Sequence, residues 1–358
     1  MSVSMIRLRS SAGRSTRRVA VAAFSALLAG CAGATSNAVL TGDSLRAPSL
    51  MASSHAAGTQ PPNCTTPSIW AETDGGTVVG LNDAGATCIT LTTANGISFL
   101  QVSGLATDSN GYLYVADTFR DRVVVFDQHG NYWSTLNIPT HAPIGVCVTQ
   151  NGLVGVVPNG NAPITIDFFT NKGPLNATLN PSNQTTYASG GRFCAFDHSG
   201  DFFVAYSTQI GYLRHNHVNT ANATFHTCNV AICSGGTHFW NGMYSHIMTP
   251  VVDTLSVEDI NAPDIVNFQI NDNPPNLLTF VPWSTPITAL TNAQSQCSNA
   301  QNGFLEIAPT TGSGNTSKIY LGCVDGFDFV RNVVTGGPVH ILGPVGTFGV
   351  ATHPTGQY

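Results

Sequence analysis

Gly104-Leu-Ala-Thr-Asp-Ser-Asn-Gly-Tyr-Leu-Tyr-Val-Ala-Asp-Thr118, followed by Phe119-Arg-Asp-Arg-Val-Val-Val-Phe-Asp127, sets the reading of this chain. Asn110-Gly111 is a tight-turn dipeptide between two runs of β-forming residues. Asp117 to Asp121 forms a second polar break, and Gln128-His129-Gly130-Asn131 a third. A last short run starts at Tyr132. The pattern is strand, turn, strand, turn, strand, turn, strand, with about five residues per strand. Joined by short turns, four such strands make one antiparallel sheet.

The unit recurs, which points to a ring of blades. Gly145-Val-Cys-Val-Thr-Gln-Asn-Gly152 repeats the opening, and Phe193-Cys-Ala-Phe-Asp-His-Ser-Gly200 repeats it again. Units start about 41 to 47 residues apart. A diverged fifth unit is read at His246–Asp253, Leu255–Ile260, Asp264–Ile270 and Leu277–Val281. A sixth is read at Phe304–Ala308, Lys318–Val324, Asp328–Val334 and Val339–Leu342. Gly349 to Tyr358 is an opening strand with nothing after it. Ser68–Asp74, Thr77–Leu81 and Thr87–Leu91 are three strands with no opener. An open edge strand invites aggregation, so the two ends are expected to share one blade. The expectation is an all-β, six-bladed β-propeller of four-stranded antiparallel blades. The blades fall at residues 68–93 with 343–358, 100–137, 141–180, 188–230, 236–282 and 297–342.

Gly104 to Thr118 with Arg122-Val-Val-Val-Phe-Asp127 resembles an NHL repeat. The resemblance is weaker in the units near Gly145 and Arg192 and poor over 236–282. It implies an NHL-type propeller over most of 68–358, with Asp117 and a following Arg as recurrent scaffold elements.

Residues 1–30 read as an export signal. Arg7, Arg9, Arg14, Arg17 and Arg18 precede an apolar stretch, Val19–Leu28, which is too short to span a bilayer. Leu28-Ala29-Gly30-Cys31 resembles the lipobox of bacterial lipoproteins. That implies cleavage before Cys31 and a lipid on it, which ties the chain to a membrane in the cell envelope. In a Gram-negative host the same resemblance, with Ala32 rather than Asp after the Cys, implies outer-membrane sorting. Residues 31–67, rich in Ala, Ser, Thr, Gly and Pro, read as a flexible tether to the propeller domain at 68–358.

Only 9% of the 358 residues are charged. Five of the 13 basic residues and none of the 19 acids precede Cys31, leaving 8 against 19 and a net of −11. That balance excludes nucleic acid as a partner. Removing Cys31 leaves eight cysteines, and an even number in an exported chain suggests disulfides. Eight allow 105 pairings. Local spacing favours Cys228–Cys233, then Cys297–Cys323 and Cys64–Cys88. No C-x-x-C pair suggests structural zinc.

Catalytic signals are sparse. There is no G-x-S-x-G, no Gly-rich dinucleotide loop and no Walker loop. Six of the 11 histidines lie between His198 and His246, and His215-Asn216-His217 would share a face if extended. The lyases of peptide amidation resemble this class and hold metal through His, but no motif here carries their ligands over. Gluconolactonase-like propellers resemble the architecture too, and hold a divalent cation in the pore through Glu, Asn and Asp. Of the three Glu after Cys31, Glu306 sits in an opening strand and could reach a pore. His215, His217 and Glu306 are therefore the metal candidates. Acid–base chemistry needs positioned titratable groups, and this chain has few. The favoured reading is a monomeric, non-catalytic, cofactor-free module that binds a protein or glycan. The alternative is a metal-dependent hydrolase or lyase of lactonase type.

Overall fold

The structure is a computed structural model. It describes residues 64–352, apart from internal stretches of which 159–165, 180–190, 216–225, 231–239, 272–277, 283–304, 309–317 and 332–338 are the longer ones. The chain is nearly all β. Among the described residues it forms six four-stranded antiparallel sheets and one two-stranded ribbon.

The first sheet is ordered Thr347–Thr352, Ile69–Thr73, Thr77–Leu81, Thr87–Leu91, so the C-terminal strand pairs with the N-terminal three. The second comprises Val102–Thr107, Leu113–Asp117, Arg122–Phe126 and Tyr132–Asn137. The third is Pro143–Val148, Val154–Pro158, Ile166–Phe169 and Leu175–Leu179. The fourth is Gly191–Phe196, Phe202–Tyr206, Gln209–Leu213 and His226–Thr227. The fifth is Trp240–Met248, Val252–Asp259, Asp264–Asn271 and Thr279–Pro282. The sixth is Leu305–Ala308, Lys318–Cys323, Gly326–Arg331 and Val339–Leu342.

Opening strands of consecutive sheets lie side by side, and Leu305–Ala308 lies beside Thr347–Thr352. Contact between the second and third sheets is tight: a Cβ at Gly104 would run into the Ile144 carbonyl oxygen. The core lies between sheets. Leu113 and Val115 face Trp70, Val78 and Ala351 of the first sheet. Tyr114, Ala116, Val123 and Val125 face Val146, Val154, Val156 and Phe169 of the third. Alternate side chains of one strand thus enter two cores, because strand side chains alternate in direction. Strands buried on both faces read as continuous apolar runs, which explains Val-Val-Val at 123–125 and the scarcity of charge.

The fifth unit departs from its sequence reading. Its first two strands are Trp240–Met248 and Val252–Asp259, not 246–253 and 255–260. The sequence reading carries its first strand through Pro250, which lacks the N–H a mid-strand residue donates. The ribbon Thr93–Ala94 with Ile97–Ser98 was also not expected. Its signal was Asn95-Gly96, where both residues take positive φ, as a type I′ turn requires.

Candidate functional site

One end of the second sheet carries the densest charge of the described chain. Leu113–Asp117 runs into a 3-10 turn, Thr118–Arg120, and Asp121 takes the left-handed conformation before the next strand starts at Arg122. Asp tolerates that conformation better than most residues. The turn brings Arg122 Nε to 2.8 Å from Asp117 Oδ2, with both side chains buried. Arg120 Nε stands 3.9 Å from the same oxygen.

These groups grip the segment that enters the sheet. Leu100 N–H donates to Asp117 Oδ1 at 3.0 Å, and Arg120 Nε donates to the Ser98 carbonyl at 2.7 Å. Arg122 Nη2 donates to the Ile97 carbonyl at 3.3 Å, and Thr118 N–H to the Gln101 carbonyl at 2.7 Å. The segment that leaves is gripped as well. Ala142 N–H donates to Asp121 Oδ1 at 2.7 Å, and Thr118 Oγ1 to the Pro143 carbonyl at 2.8 Å. Asp117 thus accepts a backbone N–H and pairs with Arg122, which ties the turn to the segment entering the sheet.

The seam holds apolar side chains in water. Ile97 is 45%, Leu100 54% and Phe119 67% exposed. All three belong to the segments joined at the hydrogen-bonded seam between 97–101 and 117–122, where the Arg120 guanidinium, 33% exposed, donates to Ser98. Charge composition did not reveal this platform; its signal was the apolar Phe119 placed between an Asp and two Arg.

A second cluster lies at the opposite end of the fourth sheet. Asp201 precedes Phe202–Tyr206, and Arg214 and His215 follow Gln209–Leu213. The buried Asp201 accepts from His215 N–H at 2.6 Å through Oδ1, which lies 3.0 Å from His215 Nδ1. Arg214 Nη1 lies 3.2 Å from Asp201 Oδ2. A carboxylate at Nδ1 orients the ring and leaves Nε2 on the outer side.

The other predicted residues divide. Cys64 and Cys88 form a disulfide, with Cα atoms 5.2 Å apart. Cys228 is disulfide-bonded, while Cys233 and Cys297 lie outside the described residues, as do Cys31 and His217. Cys323 and Glu306 are placed by strand alone, at the end of Lys318–Cys323 and within Leu305–Ala308. A disulfide with no sequence signal joins Cys147 to Cys194, with Cα atoms 5.8 Å apart. It links opening strands of the third and fourth sheets, a proximity set by sheet packing rather than by spacing. Disulfides fit an oxidising, exported compartment. No helix among the described residues is long and apolar enough to cross a membrane.

No family model and no curated protein matches the chain. Solved structures do. A protein of unknown function from Bacteroides caccae superposes with a TM-score of 0.50 at 10% identity, covering 79% of this chain and 97% of that one. The β-propeller domain of Cps50 (Swd1) from Myceliophteria thermophila gives 0.49 at 11% identity, over 81% and 91%. Virginiamycin B lyase from Staphylococcus aureus gives 0.48 at 14% identity, over 79% and 89%. Likeness at these identities concerns the fold.

Proposed function

We propose that the chain is an exported, lipid-anchored binding module, built as a closed six-bladed propeller of NHL type, that presents a rigid surface to a protein partner. Ring closure is supported by the pairing of Thr347–Thr352 with Ile69–Thr73 and by the run of adjacent opening strands. The anchor rests on the lipobox-like stretch ending at Cys31.

The observation that carries the binding role is the exposure of Ile97, Leu100 and Phe119 on the seam that the buried Asp117–Arg122 pair joins. Large apolar side chains held in water by a buried ion pair give contact area without the ordering cost of a flexible loop. The partner is a protein segment with apolar side chains and a carboxylate. The first would meet the platform and the second the Arg120 guanidinium, in a chain otherwise dominated by acid. A photo-crosslinking residue at position 119, used in the producing cell, is expected to trap one discrete partner. Leu100→Asp is expected to abolish the adduct. An adduct unchanged by Leu100→Asp, or none at all, would overturn the reading.

The anchor has its own test. Labelled fatty acid is expected on the wild type, and Cys31→Ser is expected to move the protein out of the membrane fraction.

One observation favours a second reading as a metal-dependent hydrolase or lyase: Asp201 orients the His215 imidazole, a residue pair suited to a metal ligand. Stoichiometric divalent metal in the purified protein, lost in His215→Ala, would favour it over the binding module.

A further inference from the structure

The other end of the second sheet, away from the platform, carries a different surface. Two turns project there, Asp108 to Gly111 and Asp127 to Asn131, and they are built alike. Asp108 Oδ1 accepts from Asn110 N–H at 2.9 Å and Tyr112 N–H at 3.0 Å. Asp127 Oδ1 accepts from His129 N–H at 2.9 Å and Asn131 N–H at 2.8 Å. Each turn therefore fixes an exposed Asn, and two residues beyond each Asn stands an aromatic ring. Those rings, Tyr112 and Trp133, meet edge to face with centroids 5.2 Å apart and planes at 74°. Tyr112 also packs against the core between the second and third sheets, so it braces the indole from below. Trp133 is 55% exposed.

We propose that Trp133, braced by Tyr112 and flanked by Asn110 and Asn131, is a saccharide-binding subsite for a neutral hexopyranose. The chemistry selects this ligand on four counts. A pyranose with equatorial hydroxyls has an apolar C–H face that stacks on an indole, whose exposed area stays rigid at low entropic cost. Its hydroxyl rim needs donors and acceptors nearby. The exposed Asn110 side chain makes no hydrogen bond among the described residues. Asn131 is held by its Nδ2 at 2.9 Å from Asp127 Oδ2, which turns its amide into a fixed group with Oδ1 to offer. The surroundings, Ser109, Gln128 and His129, are polar, so an apolar peptide would find little area beside the ring. The acid excess of the chain after Cys31 disfavours an anionic sugar.

The test uses the full chain with two neutral probes, cellotetraose and tetra-N-acetylchitotetraose, by calorimetry and by saturation-transfer NMR. Saturable binding of at least one tetrasaccharide is expected, with saturation transfer to ring C–H protons. Trp133→Ala is expected to weaken it roughly tenfold or more, and Trp133→Tyr to restore most of the loss, since stacking needs a ring. Phe119→Ser, at the far end of the sheet, is expected to leave it unchanged. Trp133 is exposed, so its variants should unfold at the wild-type temperature, which separates lost binding from lost fold. The absence of saturable binding for both probes would overturn the proposal, as would a Trp133→Ala protein that binds as the wild type does. Neither result bears on the protein partner at the platform.

Discussion

Arg122 closes on Asp117 across 2.8 Å with both side chains buried, and the pair also bonds the backbone of Ile97 and Leu100. The pair thus joins one sheet to the segment entering from the previous one. Removing one partner strands the other charge in the interior. Arg122→Ala is expected to destabilise the protein by about 3–5 kcal/mol, read as a lower urea midpoint. The double variant Asp117→Leu with Arg122→Met should recover part of that loss, and a double variant as unstable as Arg122→Ala would contradict this account.

Cys147 and Cys194 close a loop of 47 residues across two sheets. In the chain-entropy account a cross-link of that span stabilises by about 4 kcal/mol, by restricting the unfolded chain. Cys147→Ser with Cys194→Ser is expected to lower stability by that order. Peptide mapping of the unreduced protein should recover the 147–194 and 64–88 pairs.

Tyr114 donates to Asp108 at 3.2 Å from a buried position. Burial first, then the Asp108 charge, push its pKa above the ordinary tyrosine value. Tyr212 is raised as well, by burial, against a smaller lowering from the Leu278 N–H that donates to it at 3.1 Å. In the unfolded chain both phenols ionise near pH 10, as model tyrosines do. Above about pH 10 the unfolded state therefore binds fewer protons than the folded one, and stability falls as pH rises; below that pH neither group contributes a slope. Chemical denaturation between pH 8 and 11 should show a decline that is shallower in Tyr114→Phe and Tyr212→Phe.

Gly104 lies where the opening strands of the second and third sheets pack together, and a Cβ there would meet backbone at Ile144 rather than a movable side chain. Gly104→Ala is expected to cost about 1–3 kcal/mol, the range for an overpacked core. The same change at Gly96, whose Cβ would meet nothing within 4 Å, tests only the strain of its φ of 76°. Thermal unfolding of both separates close approach from turn geometry.

Local signals made the second sheet legible. Asn110-Gly111, the Val run at 123–125 and the break at Asp117 to Asp121 each act within a few residues, and the observed strands fall where they point. The chain ends were legible for a related reason: an opener with no followers at one end and followers with no opener at the other leave one pairing that spares an edge. The fifth unit was misplaced because its strands are longer, at nine and eight residues, than the repeat they were matched to.

The sequence by itself determined the strand and turn rhythm, the antiparallel sheets and the scarcity of charge, because period-two burial and turn chemistry are local. Tertiary structure alone decided which cysteine meets Cys147, which rings are left in water and which carboxylate holds His215. Those depend on how one sheet is laid against the next. Trp70 and Trp133 illustrate the difference: both sit in β-strands, yet one is wholly buried between two sheets and the other stands in solvent. A run of residues carries the alternation of its side chains, but which side of that alternation is covered depends on neighbours far away in the chain.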